Sequence, residues 1–495
     1  MLRTIFSIGF AQVIGLLINT ARAKVFAVLL GPAGFGVVAT IDQLVVSVSQ
    51  FSNLSLPFTA LKFLSRDHSL GEEQFRRSYA SFLRAITILA LIATGVAIAL
   101  IPGNLAKFDP QLVKYRQPVL IALLGIPATM LLIFLGNVLA ARQKAVQSVL
   151  VVVLSSFVLM LFGGIGCLLG GLVGIYLVSV PAFTALILGA LIFARVKLNW
   201  PLFDRQIALV PKLKGNSAII ETAIATYVAV CSYSALMLFA RYESITYLGE
   251  EAAGLLQACL AISLSIGAVL GPTNTLYFAP YVNRAVLPSE KIEVAGKFLP
   301  RLIFVYCLGA LPVLLFPELV IRLLFSSRFI PAALILSWFV VWQCLYQICQ
   351  VYQQLLIGLD DVRGCGVITV LGNLAATALC IWWIHSFGLI GIAGAFVAGA
   401  IILAILSVIR LRLKHGLSIF DSMPPLVGFV FLGFLAITVL GRLIPETTLT
   451  GLAARLLTAT VFLTGLWCVL PKSLRFDLSA GLISKIRGLA KPLIP

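Results

Sequence analysis

Residues 5–62 read IFSIGFAQVIGLLINTARAKVFAVLL, then GPAGFG, then VVATIDQLVVSVSQFSNLSLPFTALK. Two apolar runs flank the turn-forming stretch Gly31-Pro32-Ala33-Gly34-Phe35-Gly36, and each can cross a hydrocarbon core of roughly 30 Å. Arg22 and Lys24 interrupt the first run, and Asp42 interrupts the second. Ionisable groups at membrane depth cost about 2.5–3.5 kcal/mol each on insertion scales, so they face a partner or water. At about 1.5 Å per residue all three sit roughly 10 Å below the tip of this hairpin. Ala21-Arg22-Ala23 imitates a signal-peptidase site, but Gln12 and Asn19 break the stretch before it and the apolar run resumes after Lys24. The reading is a retained first span.

The remainder of the chain repeats this pattern. Its 495 residues are 61% hydrophobic and 11% charged, against about 25% charged in soluble domains, and the mean hydropathy is +1.08. Hydropathy predicts an all-α integral membrane protein of about fourteen spans. They fall near 5–30, 35–62, 79–102, 118–140, 145–169, 172–194, 217–240, 253–282, 300–316, 331–356, 365–386, 388–410, 424–444 and 452–470. The charged, proline-containing segment after the sixth span divides the chain into a lobe over 1–214 and a second over 215–415. Residues 416–495 add a hairpin and a tail. Many transporters are built of such paired halves.

Lys and Arg set the orientation. With the N-terminus inside, inner segments hold 26 of the 36 Lys and Arg and outer loops hold eight, including Arg241, Arg322, Arg328, Arg442 and Arg455. Both termini are then expected in the cytoplasm. The net charge of +18 follows from inner loops facing anionic lipid head groups and calls for no nucleic acid. The nine cysteines are scattered, with neither disulfide nor metal spacing. His68, His385 and His415 are isolated, and no carboxylate pair, GxSxG or Walker loop is present. The chain is expected to be no enzyme and to need no cofactor or metal.

Polar stripes mark what the spans line. In span two Asp42, Ser49, Gln50 and Asn53 share about a third of the helix circumference, with Ser47 off that stripe. In span one Arg22 shares a side with Gln12 and Asn19, and Lys24 is turned away. Asp42 can neutralise one of the two cations. Two readings stay open: a buried ion pair that pins the hairpin, or a cation left for an anionic substrate. Span ten carries Gln343, Gln347, Gln350 and Gln354 at i, i+4, i+7 and i+11, flanked by Trp342 and Tyr346. Amides beside aromatic faces suit sugar hydroxyls and rings; the competing reading is interhelical hydrogen bonding. Gly271-Pro272-Thr273-Asn274-Thr275 and Pro280 predict a kink in span eight, mobile or passive. Glu221, near the inner end of span seven, either carries a coupled proton or meets a basic loop.

One family shares these segments. Leu30 to Gly36 with Gln43, Leu61-Lys62-Phe63, Arg241, Gly254-Leu255-Leu256-Gln257, Tyr277-Phe278-Ala279-Pro280 with Arg284, and Leu324 to Phe329 with Trp338 stand in order over roughly residues 1–410. Together they resemble the oligosaccharide flippases of bacterial surface polysaccharide synthesis, in the MATE-like MOP superfamily. The resemblance implies a two-lobed bundle of twelve core helices (6+6) plus the C-terminal hairpin, in the bacterial cytoplasmic membrane. It implies alternating access around a cationic cavity that takes a polyprenyl-pyrophosphate-linked oligosaccharide to the outer leaflet. Lys24 and Lys62 resemble basic sites of the family and Arg241 a basic end of span seven, and with Arg22 and Arg284 they form the candidate pyrophosphate set. Asp42, Gln43, Asn53, Glu221, Trp342, Tyr346 and the four glutamines form the candidate cavity-lining and coupling set. H+ or Na+ is the candidate coupling ion, and membrane lipids and a polysaccharide polymerase complex are the candidate partners. This chain has Asp42 and Gln343 where comparable members often carry a basic and an acidic residue. The alternatives are a MATE-like exporter of cationic drugs, a flippase for a lipid II-type precursor, and a non-transporting scaffold.

Overall fold

The computed structural model describes residues 2–108, 110–201, 217–272, 274, 278–285, 287–416, 424–443, 449–470 and 475 as helices and short turns. Among them nine helices are long and apolar enough to cross a membrane, or ten if the bent pair Leu112–Leu123 and Ile126–Ala141 is one span. The chain is a multi-pass membrane protein. Three of the nine helices fold back on themselves, which reconciles this count with the larger number of expected runs.

The first of these hairpins is α1 (Leu2–Ser52), which breaks at Gly31, where φ is 68°. That left-handed conformation costs a glycine little. Arg22 and Asp42, twenty positions apart, hydrogen-bond at 2.6 Å, whereas a straight helix would hold them about 30 Å apart. The helix α6 (Ala145–Leu198) reverses at Gly170 and Gly171, and a Cβ on Gly166 would stand 2.1 Å from the Gly174 carbonyl oxygen. The helix α13 (Val362–His415) reverses at Gly388, and Cys380 Sγ reaches the Ile392 carbonyl at 4.0 Å. The first two reversals fall in gaps that the hydropathy reading leaves between runs, and the third falls on the first residue of the run read over 388–410.

Two expected boundaries move. Span two ends at Ser52, and residues 56–62 belong to a separate helix, α2 (Leu56–Leu70). The Asn53 side chain makes this break by accepting the Ser55 N–H at 2.8 Å, with Leu54 and Ser55 at positive φ. The inner loop expected over 284–299 is helical from Pro288, within α10 (Pro288–Leu315). Glu290 Oε2 accepts the Leu287 N–H at 3.3 Å, and Lys297 pairs with Glu293 one turn back at 2.5 Å. These local bonds favour helix where composition alone reads as loop.

The chain forms two compact units. The first comprises Met1–Ala261, Ile321–Ala332 and Val362–Gly399. In it α1 packs on α6 and on α7 (Ser217–Leu248), and α2 packs on α3 (Glu72–Phe108) and α5 (Ile126–Ala141). Glycines allow the close approaches, as is usual where lipid removes the hydrophobic drive between helices. Gly163 lies under the Phe26 ring, and Gly36 faces the start of α8 (Glu250–Pro272), where a Cβ would come 2.4 Å from Gly254 N. Phe35 at the hairpin tip contacts Phe325 and Phe329 at 5.8 and 5.9 Å. Elsewhere in this unit the Arg142 guanidinium lies over Phe75 and Trp200 at 4.6 and 5.3 Å and pairs with Glu72.

The second unit comprises Ile262–Val320, Ala333–Asp361 and Ala400–Pro495. Here α10 packs on α12 (Ala333–Gly358), with the Tyr306 hydroxyl donating to the Val340 carbonyl at 2.7 Å. Two C-terminal helices, α14 (Pro424–Leu443) and α15 (Leu449–Val469), pack on each other and on α10, with Phe429 stacked on Phe462 at 5.7 Å. Arg455, expected in an outer loop, lies buried inside α15 and donates to the Leu315 carbonyl. Asp361, in the turn before α13, accepts from Arg410 at 2.7 and 3.1 Å and from Lys414 at 2.7 Å. These bonds, Arg410 foremost, hold its carboxyl well below the usual carboxylate range.

Candidate functional site

Two adjoining clusters form the candidate site in the first unit. Arg22 Nη2 donates to Asp42 Oδ2 at 2.6 Å, across the two legs of α1. Tyr176, from the second leg of α6, holds the other carboxylate oxygen. Its hydroxyl lies 3.1 Å from Asp42 Oδ1 and 3.2 Å from the Val38 carbonyl. The Arg22 guanidinium also lies over the Phe26 ring at 5.4 Å. Tyr176 is buried, while the Arg22 and Asp42 side chains keep 24% and 35% of their surface open. The pair is thus anchored from behind and open in front. Lys24 points elsewhere and donates to the Leu323 carbonyl at 2.7 Å. That oxygen lies at the C-terminal end of α11 (Pro317–Leu324), where a cation is favoured.

A second basic centre lies on α7. Arg241 is expected to end this span, yet the helix runs on to Leu248 and the residue is buried. Gln257 Oε1 accepts from Arg241 Nε at 3.2 Å and Nη2 at 2.8 Å, and the Met237 carbonyl accepts from Nη1 at 3.0 Å. Neutral acceptors therefore satisfy a buried guanidinium and keep its charge. Gln43 donates to Ser47 at 3.2 Å, and Ser47 meets Ser234 of α7 at 3.2 Å, which ties span two to α7.

The remaining candidates fall in other places. Lys62 lies on α2 with its ammonium over the Phe58 ring at 5.3 Å. Asn53 is spent on the turn after α1. Glu221 forms a two-point ion pair with Arg363 at the start of α13, at 2.5 and 3.0 Å. Arg284 ends the short helix α9 (Ala279–Arg284), and its side chain lies outside the described residues. The kink expected in span eight falls largely on residues 273 and 275–277, which lie outside the described residues.

The glutamine row belongs to the second unit. Gln343 and Gln347 are buried against Gly267 of α8, and a Cβ there would stand 1.8 Å from Gln343 Nε2. Gln347 Nε2 donates to the Gly267 carbonyl at 3.3 Å, and Asn274 Nδ2 reaches Gln347 Oε1 at 3.5 Å. Gln350 and Gln354 are half-buried. Trp342 is buried, and its ring lies 5.8 Å from that of Tyr346. The row thus splits into a buried half, in which Gln347 bonds Gly267 and Asn274, and a half with open surface.

Tyr176, Gln257, Asn274 and Gly267 are site residues that reading the sequence for site chemistry does not single out. Gln257 and Asn274 stand within quoted motifs, but nothing in their spacing names a partner. Among the described residues no group of three or more His, Cys, Asp and Glu could hold a metal ion.

No protein-family model and no curated protein matches the sequence. Solved structures do match. An inward-facing multidrug-resistance MATE transporter of the MOP superfamily aligns with a TM-score of 0.64 at 15% identity, over 82% of this chain and 98% of that one. The fold is that of the MATE transporters. The lipid II flippase MurJ in an inward closed conformation aligns with a TM-score of 0.65 at 13% identity, over 94% and 99%. An outward-facing multidrug-resistance MATE transporter aligns at 0.58 and 16% identity, over 83% and 95%. These neighbours are transporters, not enzymes.

Proposed function

We propose that this chain is a flippase for polyprenyl-pyrophosphate-linked oligosaccharides. In this reading it carries repeat units from the cytoplasmic to the outer leaflet of a bacterial cytoplasmic membrane for surface polysaccharide synthesis. Two six-helix lobes, 1–214 and 215–415, alternate access, and both termini are cytoplasmic. The observation that carries the reading is the charge flanking the tip of α1, where Arg22 and Lys24 stand against Asp42 and the paired cation keeps open surface. A pyrophosphate needs fixed cations with directed N–H donors, and the Arg22 fork supplies them. The open half of the glutamine row, Gln350 and Gln354, suits the hydroxyls of the glycan. The lipid tail stays in the bilayer. An inside-negative potential adds about 2.3 kcal/mol per charge per 100 mV to outward movement of an anion, so coupling to H+ or Na+ serves only to reset the empty carrier.

Two other readings rest on specific observations. The alignment with MurJ takes in 94% of this chain, which favours a lipid II-type substrate. The MATE neighbours favour a drug exporter, but cationic drugs call for carboxylates to outnumber cations in the lobe, the reverse of α1. Deletion of the gene, with extraction of polyprenyl-linked lipids and surface polymer, decides among them. Accumulated oligosaccharide lipid with lost polymer supports the proposal. Lethality with accumulated peptidoglycan precursor supports the second reading. Unchanged lipids and polymer with raised drug sensitivity supports the third.

A further inference from the structure

The Arg22–Asp42 pair has features that a purely structural ion pair does not need. Among the described residues the one hydrogen bond of the guanidinium runs from Nη2 to Asp42 Oδ2, at 2.6 Å. An arginine carries five N–H donors in a planar fork, so most of the fork is uncommitted. Its position does not depend on Asp42 alone, because Phe26 lies under it at 5.4 Å and is itself wedged against Gly163. The carboxylate, in turn, has a second partner in Tyr176. That hydroxyl has one proton and two acceptors within 3.2 Å, Asp42 Oδ1 and the Val38 carbonyl. It can therefore bind Asp42 more or less firmly without being stranded, since Val38 receives the proton whenever Asp42 does not.

We propose that Asp42 is a displaceable counter-ion, which occupies on Arg22 the place of a phosphate oxygen and moves onto Tyr176 when a pyrophosphate takes the guanidinium fork. This rests on the flippase reading and adds to it how the empty carrier is kept neutral. An unpaired guanidinium at this depth is costly, so an empty transporter reorienting without its anion needs a resident negative charge. The same charge weakens hold on the substrate and so permits release on the far side. Asp42 is the stand-in, and Tyr176 is the positioning residue that receives it. Lys24, held on the Leu323 carbonyl, takes no part in the exchange.

The test is binding of farnesyl pyrophosphate to the purified full-length protein in nanodiscs. Asp42→Asn removes the competitor and is expected to tighten binding about tenfold, the effect of one screened charge at contact distance. Arg22→Gln is expected to weaken it at least tenfold. Tyr176→Phe strands the carboxylate on Arg22 and is expected to weaken binding about threefold in the wild-type background. It is expected to leave affinity unchanged in the Asp42→Asn background, a coupling that loss of packing alone would not produce. Unchanged or weaker binding by Asp42→Asn, with binding still lost in Arg22→Gln, overturns the counter-ion and leaves the flippase reading standing. Failure of the wild type and every variant to bind the probe overturns both. If Asp42→Asn does not accumulate as folded protein, Tyr176→Phe decides: weaker binding supports the exchange, and equal or tighter binding refutes it.

Discussion

At the scale of single residues, the cations of this chain differ in what they are free to do. Arg22 and Lys24 each make one contact that a ligand could replace, with a carboxylate and with a carbonyl. Replacing either by Ala is expected to cut surface-polymer export at least tenfold in a deletion strain while folded protein stays within twofold of wild type. Asp42 retains the Tyr176 hydrogen bond and an open side-chain surface, and the Leu323 carbonyl can take water, so neither variant strands a fully buried group. Normal export by both variants would remove the cationic site. Arg241 is the opposite case. Its guanidinium is closed off by Gln257 and Met237, and Gln257→Leu leaves two of its bonds unmade in a buried place. That is expected to cost about 3 kcal/mol, read as a lower melting temperature, and Arg241→Met in the same chain is expected to recover most of it. Hydropathy places Arg241 at the end of its span because a charge ordinarily stops an apolar run. The Gln257 side chain that lets the helix continue comes from the next helix, which no local window contains.

At the scale of elements, the hairpins were legible and their contacts were not. The turn-forming stretch after Leu30 marked the reversal at Gly31, and the ends of apolar runs lay close to those at Gly171 and Gly388. That Asp42 meets a cation across the hairpin followed from depth, but depth did not choose between Arg22 and Lys24. Tyr176 did not follow, because a lone tyrosine in an apolar leg becomes informative when packing brings α6 against α1. The glutamine row shows the same limit. Its helical face was plain, but which half would be buried depends on Gly267 of another helix. Gln343→Ala with Gln347→Ala is therefore expected to lower the melting temperature by several degrees, since it removes the buried Gln347 bonds to Gly267 and Asn274 and empties the space Gln343 fills beside Gly267. Gln350→Ala with Gln354→Ala is expected to leave it unchanged and to reduce export. A row that is structural throughout would show export unchanged in the second pair. The tip of α1 gives a sharper case. A Cβ on Gly254 would stand 1.9 Å from the Pro32 carbonyl oxygen, whereas one on Gly95 meets nothing within 4 Å. Gly254→Ala is expected to destabilise the protein and abolish export, and Gly95→Ala to be silent. Equal behaviour of the two variants would mean that the tip does not rest on α8.

At the scale of the whole molecule, orientation is the property that the charges decide. The sequence reading puts 26 Lys and Arg on the inner side and eight on the outer. Two of those eight, Arg241 and Arg455, are buried within α7 and α15 and bonded to protein groups, so six remain. The correction to those two residues enlarges the asymmetry. Each basic residue near an anionic leaflet contributes about 1 kcal/mol, so the inverted topology is disfavoured by far more than one misplaced loop could offset. Asp361, Arg410 and Lys414 add a closed ionic cluster at the end where α12 turns into α13 and α13 ends. Gln143, in the turn before α6, falls on the same expected inner side, and Ser386, at the tip of α13, falls on the outer. In a cysteine-free background, Ser386→Cys is expected to react with a membrane-impermeant maleimide added outside intact cells. Gln143→Cys is expected to react after the membrane is opened. Reaction of Gln143→Cys alone in intact cells would invert the topology. It would then place the inner-leaflet substrate on the wrong side of the hairpin that carries Arg22, and the flippase reading would fail with it.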